Sequence, residues 1–586
     1  MRQWMVAAKK ADFYVIAEKF HVDPVVARII RNREVIGEKN IRIYLGGNLS
    51  DLSDPHQMKD MDRLVEILAQ KIRKQVHIRI IGDYDVDGVT SSHLFLTALR
   101  RVGAKVDVVI PHRIQDGYGL SLHLLQQAKE DGVDTILTCD NGIAAIDEIA
   151  WAKAQKMTVL VTDHHAVPFE EHEGRRTEKK SLADAVVNPH QQDCRYPYKE
   201  LCGAGVAWNV IRVLYENYDM DKREAEDLLD FVAMATVCDV MSLTGENRIL
   251  VKEGLKRIRH TKNIGLQALM QACNVQPENI SAYHFGYVLG PCVNATGRLD
   301  TARHALRLFE TGQETEAEEI ARDLVDLNQE RKELTLQGVE MAKKLCEEGG
   351  YENDPILVLF LPDVHESIAG LIAGRIREMY NRPVFVLTRG EEGVKGSGRS
   401  TENYSMYENM CGCAELFTKF GGHPMAAGLS LPEENVEKFR RKINENCPLT
   451  VEEVCPDIHI DMAMPVGYAS TELVHQFALL EPFGKDNPSP LFADRNLSIS
   501  RMWVIGKNRN VLRMSVLSEY GQPVPVIFFG DVETLFAYFT EKFGQEEVEN
   551  ALHGRKNRIL FSMVYTAKID FYQGNENLQL EMKYYR

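Results

Sequence analysis

The sequence lacks the features that would direct a protein to a membrane, to an oxidising compartment or to covalent catalysis. Among its 586 residues, no apolar run approaches the roughly 20 residues of a transmembrane helix. The N-terminal stretch MRQWMVAAKKADFYVI lacks the apolar centre and the cleavage site of a signal peptide. The eleven cysteines form no CxxC pair, and no GxSxG segment exposes a serine nucleophile. We therefore expect a cytoplasmic protein with reduced cysteines and no membrane attachment.

An excess of positive charge is also absent. The formal charge is −16, with 69 Lys and Arg against 85 Asp and Glu residues. This balance argues against a protein that coats nucleic acid by bulk attraction, although a local groove of Lys and Arg can still bind phosphates. With 44% hydrophobic and 26% charged residues, the composition is that of a globular protein, and the length indicates about three domains.

Strands and helices alternate through the first half of the chain. Four strands, in VHIRIIGDYD, KVDVVIPHR, DTILTCDNG and MTVLVTDHH, are separated by segments with helical spacing. The alternation predicts an α/β fold with a parallel sheet and helices on its faces. Ligands of such sheets collect at the carboxyl ends of the strands. The polar residues that fall at these ends are Asp83, Asp85, Asp87, Arg113, Asp140, Asn141, Asp163, His164 and His165.

Three aspartates, at positions 83, 85 and 87, alternate directly after the first strand. A single aspartate there would most often cap the next helix or form a turn. Three carboxylates within about 15 Å repel one another unless a cation lies between them. Together with Asp140 and the histidines, they suit two Mn²⁺ or Mg²⁺ ions about 3.5–4 Å apart that share a carboxylate and a water. The chemistry that such a site indicates is phosphoester hydrolysis.

The second half of the chain contains a long helix, a second α/β segment and a β-rich segment. Residues 314–348 are almost free of Gly and Pro and predict one helix of roughly 50 Å between domains. The strands PILVLFLPD and PVFVLT follow, on either side of a helix around SIAGLIAGRIREMY. After Cys455, short strands split by Gly and Asn turns predict a small β-barrel, with a helical insertion near DVETLFAYFTEKFG.

Several motifs resemble those of a known superfamily. DYDVDG, TCDNGI, VTDHH and ATVCDV resemble, in order and spacing, the four motifs of the DHH phosphoesterases. HESIAGLIAGR, KGSGRS and GGHPMAAG resemble the associated DHHA1 domain. NPHQQDCRYPYKELCGAGVAW and LLEPFGKDNPSPLF are similar to segments of the RecJ family. The resemblance implies a 5′→3′ exonuclease that degrades single-stranded DNA to 5′-mononucleotides by two-metal-ion hydrolysis, in DNA repair and recombination.

The resemblance also implies a domain order. The parallel-sheet DHH domain would be joined by the long helix to the α/β DHHA1 domain, and an OB-type β-barrel would follow. The expected segments are an N-terminal segment (1–45), a DHH catalytic domain (46–305), a connecting helix (306–350), a DHHA1 domain (351–450) and an OB-fold-like nucleic-acid-binding domain (451–586).

Roles for the acidic residues follow from the same resemblance. The implied metal ligands are Asp83, Asp85, Asp87, Asp140, His164 and Asp239. Asp140 stands where the family has its bridging carboxylate. Asp163 is expected to orient the site from behind, and His165 to face the scissile phosphate. Asp239 is included among these ligands only because the motif ATVCDV resembles that of the family. By itself this segment indicates the end of a buried helix.

The implied substrate-binding residues lie in both α/β domains. They are Arg113, Tyr118, Arg298, His365, Ser397, Arg399, Gly421, Gly422 and His423. Arg113, Ser397 and Arg399 would form a pocket for the 5′-terminal phosphate, because guanidinium groups pair two donors with phosphate oxygens. Tyr118 would stack on a base, and Arg298 would line the DNA path.

A strip of three cations in the barrel segment, Lys507, Arg509 and Arg513, is a further candidate for phosphate contacts. Three cations on a hairpin are more often simply solvated. The implied macromolecular partners are single-stranded DNA with a 5′ end, a single-strand-binding protein and a helicase.

Two positions depart from the family pattern, Ser367 and Asp486, where glycine is common. Neither is an implied metal ligand, so only local turn geometry is affected.

Three other functions share this fold. A DHH phosphodiesterase of oligonucleotides or cyclic dinucleotides would share the metal chemistry, but such proteins usually lack the β-rich segment. A DHH pyrophosphatase would lack the GSGRS and GGH segments. A non-catalytic replication scaffold would have lost metal ligands, whereas all six are present in this sequence.

Overall fold

The computed structural model describes residues 3–113, 116–117, 119–172, 175–390, 393–506, 510–572 and 574–586. They form two compact units. The first contains residues 52–241 and 249–456, and the second contains residues 3–51, 242–248 and 457–586. None of the helices in these ranges combines the length and the apolar character needed to cross a bilayer.

The regular elements are numbered along the chain. The helices are α1 (Phe13–Phe20), α2 (Pro24–Asn32), α3 (Glu38–Gly46), α4 (Met61–Arg73), α5 (Val86–Arg101), α6 (Leu122–Glu130), α7 (Ile146–Ala154), α8 (Gly203–Asn217), α9 (Lys222–Glu226), α10 (Leu229–Cys238), α11 (Gly245–Ile258), α12 (Ile264–Ala272), α13 (Ala282–His284), α14 (Gly290–Leu299), α15 (Arg303–Glu310), α16 (Glu314–Glu348), α17 (Glu366–Tyr380), α18 (Met406–Cys411), α19 (Val436–Glu445), α20 (Thr471–Gln476), α21 (Val532–Phe543) and α22 (Gln545–Leu552). The strands are β1 (Trp4–Val6), β2 (Ile78–Ile81), β3 (Val106–Val109), β4 (Thr135–Cys139), β5 (Thr158–Thr162), β6 (Phe169–His172), β7 (Arg175–Glu178), β8 (Ala185–Val187), β9 (Leu357–Phe360), β10 (Val384–Gly390), β11 (Gly393–Arg399), β12 (Lys419–His423), β13 (Ala426–Leu431), β14 (Ile458–Ile460), β15 (Met462–Ala463), β16 (Phe492–Ile505), β17 (Val511–Leu517), β18 (Pro523–Phe528), β19 (Leu560–Tyr572) and β20 (Asn575–Tyr585).

A five-stranded parallel sheet, in the order β3-β2-β4-β5-β8, organises the first part of unit 1. Its central strands β2 and β4 are buried on both faces, as expected for a sheet covered by helices. Ile81 lies opposite Val109 and Thr138, and Cys139 lies opposite Thr162. The register therefore brings the carboxyl ends of the strands to one edge, which confirms the predicted parallel α/β sheet.

A second, mixed sheet in unit 1 has the order β12-β13-β11-β10-β9. Strands β9 and β10 are parallel, and the other pairs are antiparallel. The predicted long helix is observed as α16, with 35 residues. It is more than a spacer, because it packs against α12, α14 and α17. Gly338 permits the approach to α17, since a β-carbon there would lie 2.3 Å from Cδ1 of Ile372.

Unit 2 contains the β-rich part of the chain. Strands β16, β17, β18, β20 and β19 pair in that order, and β19 pairs again with β16, so the pairings form a closed ring. This topology fits the predicted OB-type barrel. The predicted helical insertion is observed as α21 and α22.

The N-terminal helices complete the core of unit 2. Val26 and Ile30 of α2 are fully buried in the same apolar cluster as Phe492 and Leu480. Arg33 forms a buried ion pair with Asp461 at 2.8 Å. Residues 3–51 therefore belong physically with residues 457–586.

A candidate two-metal centre and an adjoining cationic pocket

The loop after β2 presents the first acidic residues of the centre. Asp83 is 1% exposed, and Asp85 accepts a hydrogen bond from the Gly88 backbone N–H at 3.0 Å, which caps α5. A β-carbon at position 88 would lie 2.4 Å from the Asp83 carbonyl oxygen, so the loop can close this tightly only around glycine. The backbone N–H of Val86 donates to Oδ1 of Asn294 in α14 at 3.2 Å.

Asp87 is held by the first residues of α8. Its two carboxylate oxygens accept hydrogen bonds from the backbone N–H groups of Gly203 at 2.6 Å and Ala204 at 2.7 Å. These are the free donors at a helix N-terminus, where the helix dipole favours negative charge. Asp87 therefore stays buried in a defined orientation.

Asp140 follows β4 in the left-handed region of the backbone, with a φ of 61°. This conformation costs about 1–2 kcal/mol outside glycine, although aspartate tolerates it better than most residues. The start of α8 packs closely on it, since a β-carbon at Gly203 would lie 2.6 Å from Cβ of Asp140. The strained backbone and this contact fix the direction of the Asp140 side chain.

Asp163 lies behind the two histidines. Its Oδ1 accepts from the backbone N–H groups of His164 at 2.7 Å and His165 at 3.0 Å, and it lies 2.8 Å from Nδ1 of His165. Its Oδ2 accepts from the backbone N–H of Ile143 at 2.9 Å. Burial alone would raise the pKa of Asp163, but the hydrogen bond and the charge of His165 outweigh burial and lower it.

The predicted ligands meet at one edge of the parallel sheet. Donor atoms of Asp83, Asp85 and Asp140 lie within 4.8 Å of one another, and so do those of Asp87, His164 and Asp239. Nε2 of His164 lies 3.1 Å from Oδ1 of Asp140, 3.7 Å from Oδ2 of Asp87 and 3.6 Å from Oδ2 of Asp239. Asp140 belongs to the first group and also lies beside His164 of the second, which suits two cations that share a carboxylate.

Asp239 is the one predicted ligand that the local sequence pattern alone did not indicate. It follows the last residue of the buried helix α10, and no strand precedes it. A carboxylate at the C-terminus of a helix is unfavourable, because the helix dipole places partial negative charge there. An aspartate at the predicted end of a buried helix could therefore have indicated a functional residue.

Burial and like charge destabilise the ionised carboxylates of this centre. The pKa of Asp83 is raised well above its usual value by burial and then by the charge of Asp85. The pKa of Asp140 is raised in the same way, by burial and then by Asp87 and its other acidic neighbours. Burial lowers the pKa of His164, which keeps its imidazole neutral, as a metal ligand must be.

The residues present fit divalent cations. Oδ1 of Asp83 and Nε2 of His164 are buried and form no hydrogen bond within the described part of the chain. Such buried polar atoms are costly unless an ion or a water satisfies them. Carboxylates with one imidazole and no thiolate suit Mn²⁺ or Mg²⁺ better than zinc.

A cavity of about 490 Å³ adjoins the acidic loop. Tyr84, which stands between Asp83 and Asp85, contributes to its wall, and the guanidinium of Arg113 lies over the Tyr84 ring at 4.9 Å. The remaining lining residues come from the second sheet and α17, and they are Glu366, Ser367, Ala369, Thr388, Lys395, Gly396, Ser397, Lys419, Phe420, Gly421, Gly428, Leu429 and Ser430.

Cations are crowded around this cavity. Arg298 donates from Nη1 to the Ser367 carbonyl at 2.6 Å, and burial, followed by Arg113 and two further arginines, lowers its pKa to about 10. Burial and then Arg113 lower the pKa of Arg399, whose Nη1 donates to the Gly398 carbonyl at 2.8 Å. A phosphate would relieve this mutual repulsion, so the cluster has the charge that suits an anion beside the acidic loop.

Other predicted substrate residues lie near this pocket. His365 caps α17, accepting from the Ser367 backbone N–H at 3.3 Å. Gly421 lines the cavity. Gly422 has a φ of 149°, a backbone conformation that residues with a side chain rarely adopt. His423 is exposed at the end of β12, where its Nδ1 accepts from the Met425 N–H at 3.3 Å.

Three predicted contact residues lie outside the described residues. These are Tyr118, Lys507 and Arg509. Arg513, the third cation of the predicted barrel strip, is described, and it lines a separate cavity of about 360 Å³ in unit 2.

Comparison with known families matches three segments of the chain. Residues 77–236 match the DHH family, N-terminal domain, residues 353–447 match the DHHA1 domain, and residues 460–584 match the RecJ OB domain.

Curated relatives align over most of the chain. It is 32% identical to the single-stranded-DNA-specific exonuclease RecJ of Haemophilus influenzae over 582 residues, which cover 96% of each protein. It is 33% identical to the Bacillus subtilis protein of the same name over 511 residues. That alignment covers 86% of this chain and spans 63% of the Bacillus protein's length.

Solved structures show the same architecture. RecJ from Thermus thermophilus in complex with Mn²⁺ superposes with a TM-score of 0.81 at 25% identity, covering all of this chain and 79% of that one. An exonuclease RecJ bound to manganese superposes with a TM-score of 0.56 at 32% identity, covering 66% of this chain and 94% of that one.

Proposed function

Because the chain belongs to the RecJ family, we propose that it is a 5′→3′ exonuclease that degrades single-stranded DNA to 5′-mononucleotides. The observation that carries this proposal is the position of Asp140, which groups with Asp83 and Asp85 and also lies 3.1 Å from His164 of the second group. Such a site suits phosphodiester hydrolysis by two metal ions.

The proposed metal ligands are Asp83, Asp85, Asp87, Asp140, His164 and Asp239. Two divalent cations, Mn²⁺ or Mg²⁺, supply an acidified water and neutralise phosphate charge when bound. The protein contributes a fixed set of oxygens, since Asp87 is tied to α8 and Asp140 is held by its backbone conformation. It also contributes one neutral imidazole, His164.

His165 is proposed to bind the phosphate under attack. Burial opposes its protonation, but the hydrogen bond and the charge of Asp163 raise its pKa to about 9 in the metal-free protein. Nδ1 of His165 pairs with Asp163, and Nε2 is proposed to donate to a phosphoryl oxygen on which charge develops.

The cationic pocket accounts for the choice of the 5′ end. We assign Arg113, Ser397 and Arg399 to the terminal phosphate and Arg298 to the adjoining strand. Tyr84 borders both the pocket and the acidic loop, so a terminal phosphate held there leaves the next phosphodiester near the carboxylates. Tyr118, His365 and the segment from Gly421 to His423 are proposed to guide the strand.

The rival functions are not favoured. A non-catalytic scaffold does not need six potential ligands gathered at one edge of a sheet. A phosphodiesterase of short oligonucleotides does not need the closed strand ring that matches the RecJ OB domain. We propose that the protein acts in the cytoplasm in DNA repair and recombination, on strands supplied by a helicase and a single-strand-binding protein.

One assay separates these functions. The chain is incubated in Mn²⁺ with DNA that is 5′-phosphorylated and either single-stranded or blunt duplex. We expect 5′-mononucleotides from the single strand alone, and no products when EDTA removes the metal. Equal rates on the duplex, or no mononucleotides from the single strand, would contradict the proposal.

A further inference from the structure

Two cysteines outside the acidic centre lie in van der Waals contact. Sγ of Cys273 and Sγ of Cys292 are 3.8 Å apart. Cys273 is partly exposed at the end of α12, and Cys292 is 2% exposed in the first turn of α14. A disulfide would require the sulfurs to approach by about 1.8 Å, to its length of roughly 2.05 Å. Cys273 lies at a helix terminus, where the backbone can move more easily than within a helix.

Cys292 donates from Sγ to the Val288 carbonyl at 3.3 Å as a thiol, while its other polar neighbours favour the thiolate. Nδ2 of Asn328 donates to its sulfur at 3.3 Å. Oδ1 of Asn328 accepts from Nε of Arg331 at 3.1 Å and from Nη2 at 2.8 Å, which fixes the amide with its N–H₂ group towards the sulfur. Lys332 adds a second nearby positive charge.

The two thiols differ in acidity. The hydrogen bond with Cys273 is the largest cause of the lowered pKa of Cys292, and it outweighs burial with help from Asn328 and the two cations. The same contact raises the pKa of Cys273. Cys292 is therefore the sulfur that ionises first, and thiolates are the nucleophilic form of cysteine.

We propose that Cys273 and Cys292 form a redox-active dithiol that hydrogen peroxide converts into a disulfide. The Cys292 thiolate attacks one peroxide oxygen, the O–O bond breaks, and hydroxide leaves and takes up a proton. The resulting sulfenic acid is attacked by the sulfur of Cys273, so that the S–S bond forms and the S–O bond breaks. Water leaves with the Cys273 proton. In total, two thiols are oxidised and one peroxide is reduced to two waters.

The disulfide would act on the nuclease through α14. Asn294 of α14 binds the backbone of the acidic loop at Val86. Gly297 lies against the Tyr84 carbonyl so closely that a β-carbon would be 2.4 Å from its oxygen. A shift of Cys292 towards α12 therefore moves the supports of the acidic loop. This consequence rests on the proposed function, whereas the dithiol itself does not.

Peptide mass spectrometry tests the dithiol directly. The reduced full-length chain is treated with hydrogen peroxide, its free thiols are blocked, and it is digested. We expect a peptide that links Cys273 to Cys292 and is lighter than the two thiol peptides by two hydrogen atoms. Cys273→Ser should stop at a sulfenic acid on Cys292 that dimedone traps.

Cys411, which is exposed, provides the matched control. The substitution Cys411→Ser should leave formation of the Cys273–Cys292 disulfide unchanged. Absence of the linked peptide would overturn the proposal. Oxidation of Cys411 ahead of Cys292 would overturn it as well, because the argument makes Cys292 the more reactive thiol.

Nuclease assays test the link to activity. Oxidation should lower the rate in Mn²⁺ roughly tenfold, since displacements of about 1 Å near a reacting centre have effects of this order or larger. Dithiothreitol should restore the rate, and Cys273→Ser should keep the reduced enzyme's activity. A linked peptide without loss of activity would overturn the role of α14. A chain without activity before oxidation would instead contradict the proposed function.

Discussion

Removal of the Arg399 guanidinium tests the cationic pocket most directly. Arg399 is half-buried near Arg113 and Arg377, and within the described part of the chain no carboxylate forms an ion pair with it. At Arg298, burial and then the charges of Arg113 and two further arginines lower the pKa to about 10. A terminal phosphate would supply the missing negative charge.

The expected effect follows from the energy of one charge-assisted hydrogen bond. Such bonds contribute about 1.5–3 kcal/mol, and about 1.4 kcal/mol corresponds to a tenfold change. Arg399→Ala should therefore reduce the preference for 5′-phosphate over 5′-hydroxyl ends by roughly 10- to 150-fold. The measurement compares kcat/KM on two oligonucleotides that differ only in the terminal phosphate.

Arg389→Ala is the matched control. Arg389 lies on the neighbouring strand β10, where it is exposed and pairs with Glu433 at 2.8 Å. Surface pairs of this kind contribute little, so the preference for 5′-phosphate should be unchanged. Thermal melting establishes that both variants fold. An equal loss on phosphate and hydroxyl ends in Arg399→Ala would refute the assignment of this residue to the terminal phosphate.

Three further substitutions probe the centre and its supports. Asp140→Asn should abolish hydrolysis while raising the melting temperature of the metal-free protein, because it removes a buried like charge; retained turnover would exclude the bridging role. Asn294→Ala should raise the Mn²⁺ concentration needed for half-maximal activity roughly tenfold, because loss of a supporting contact weakens metal binding; an unchanged requirement would separate α14 from the loop. His93→Phe should flatten the acid dependence of stability. Burial, followed by the charge of Arg100, lowers the pKa of His93 to about 3, so the unfolded chain binds a proton below pH ~6.5 that the folded chain does not. The wild type should lose roughly 1 kcal/mol more than the variant between pH 7.5 and 5.5 in thermal melts, and equal slopes would contradict this.

The acidic residues that follow strands could be located from the sequence. Alternating carboxylates after an apolar strand are a local pattern, and the parallel sheet then aligns the strand ends. Asp83, Asp140 and Asp163 therefore meet where the sequence predicted. Asp239 could not be located in this way, because its position depends on how α10 packs against α5 and α8.

Long-range contacts also could not be predicted from the sequence. The pairing of Cys273 with Cys292 and the bond from Arg298 to Ser367 join segments whose own patterns indicate only helices. The two departures from the family pattern become intelligible in the structure. Ser367 places its hydroxyl 2.7 Å from Nδ1 of His365, and Asp486 has a φ of 60°, the left-handed conformation that glycine adopts most easily.

The composition of unit 2 has a consequence for the order in which the protein can fold during synthesis. The apolar partners that cover Val26 and Ile30, such as Leu480 and Phe492, are translated more than 400 residues after them. During that interval the apolar face of α2 has no partner within the native core, so we expect a chaperone to bind it. The β-rich unit must be the last to mature, and a ribosome that stalls before residue 457 would release a chain with an orphaned N-terminal segment.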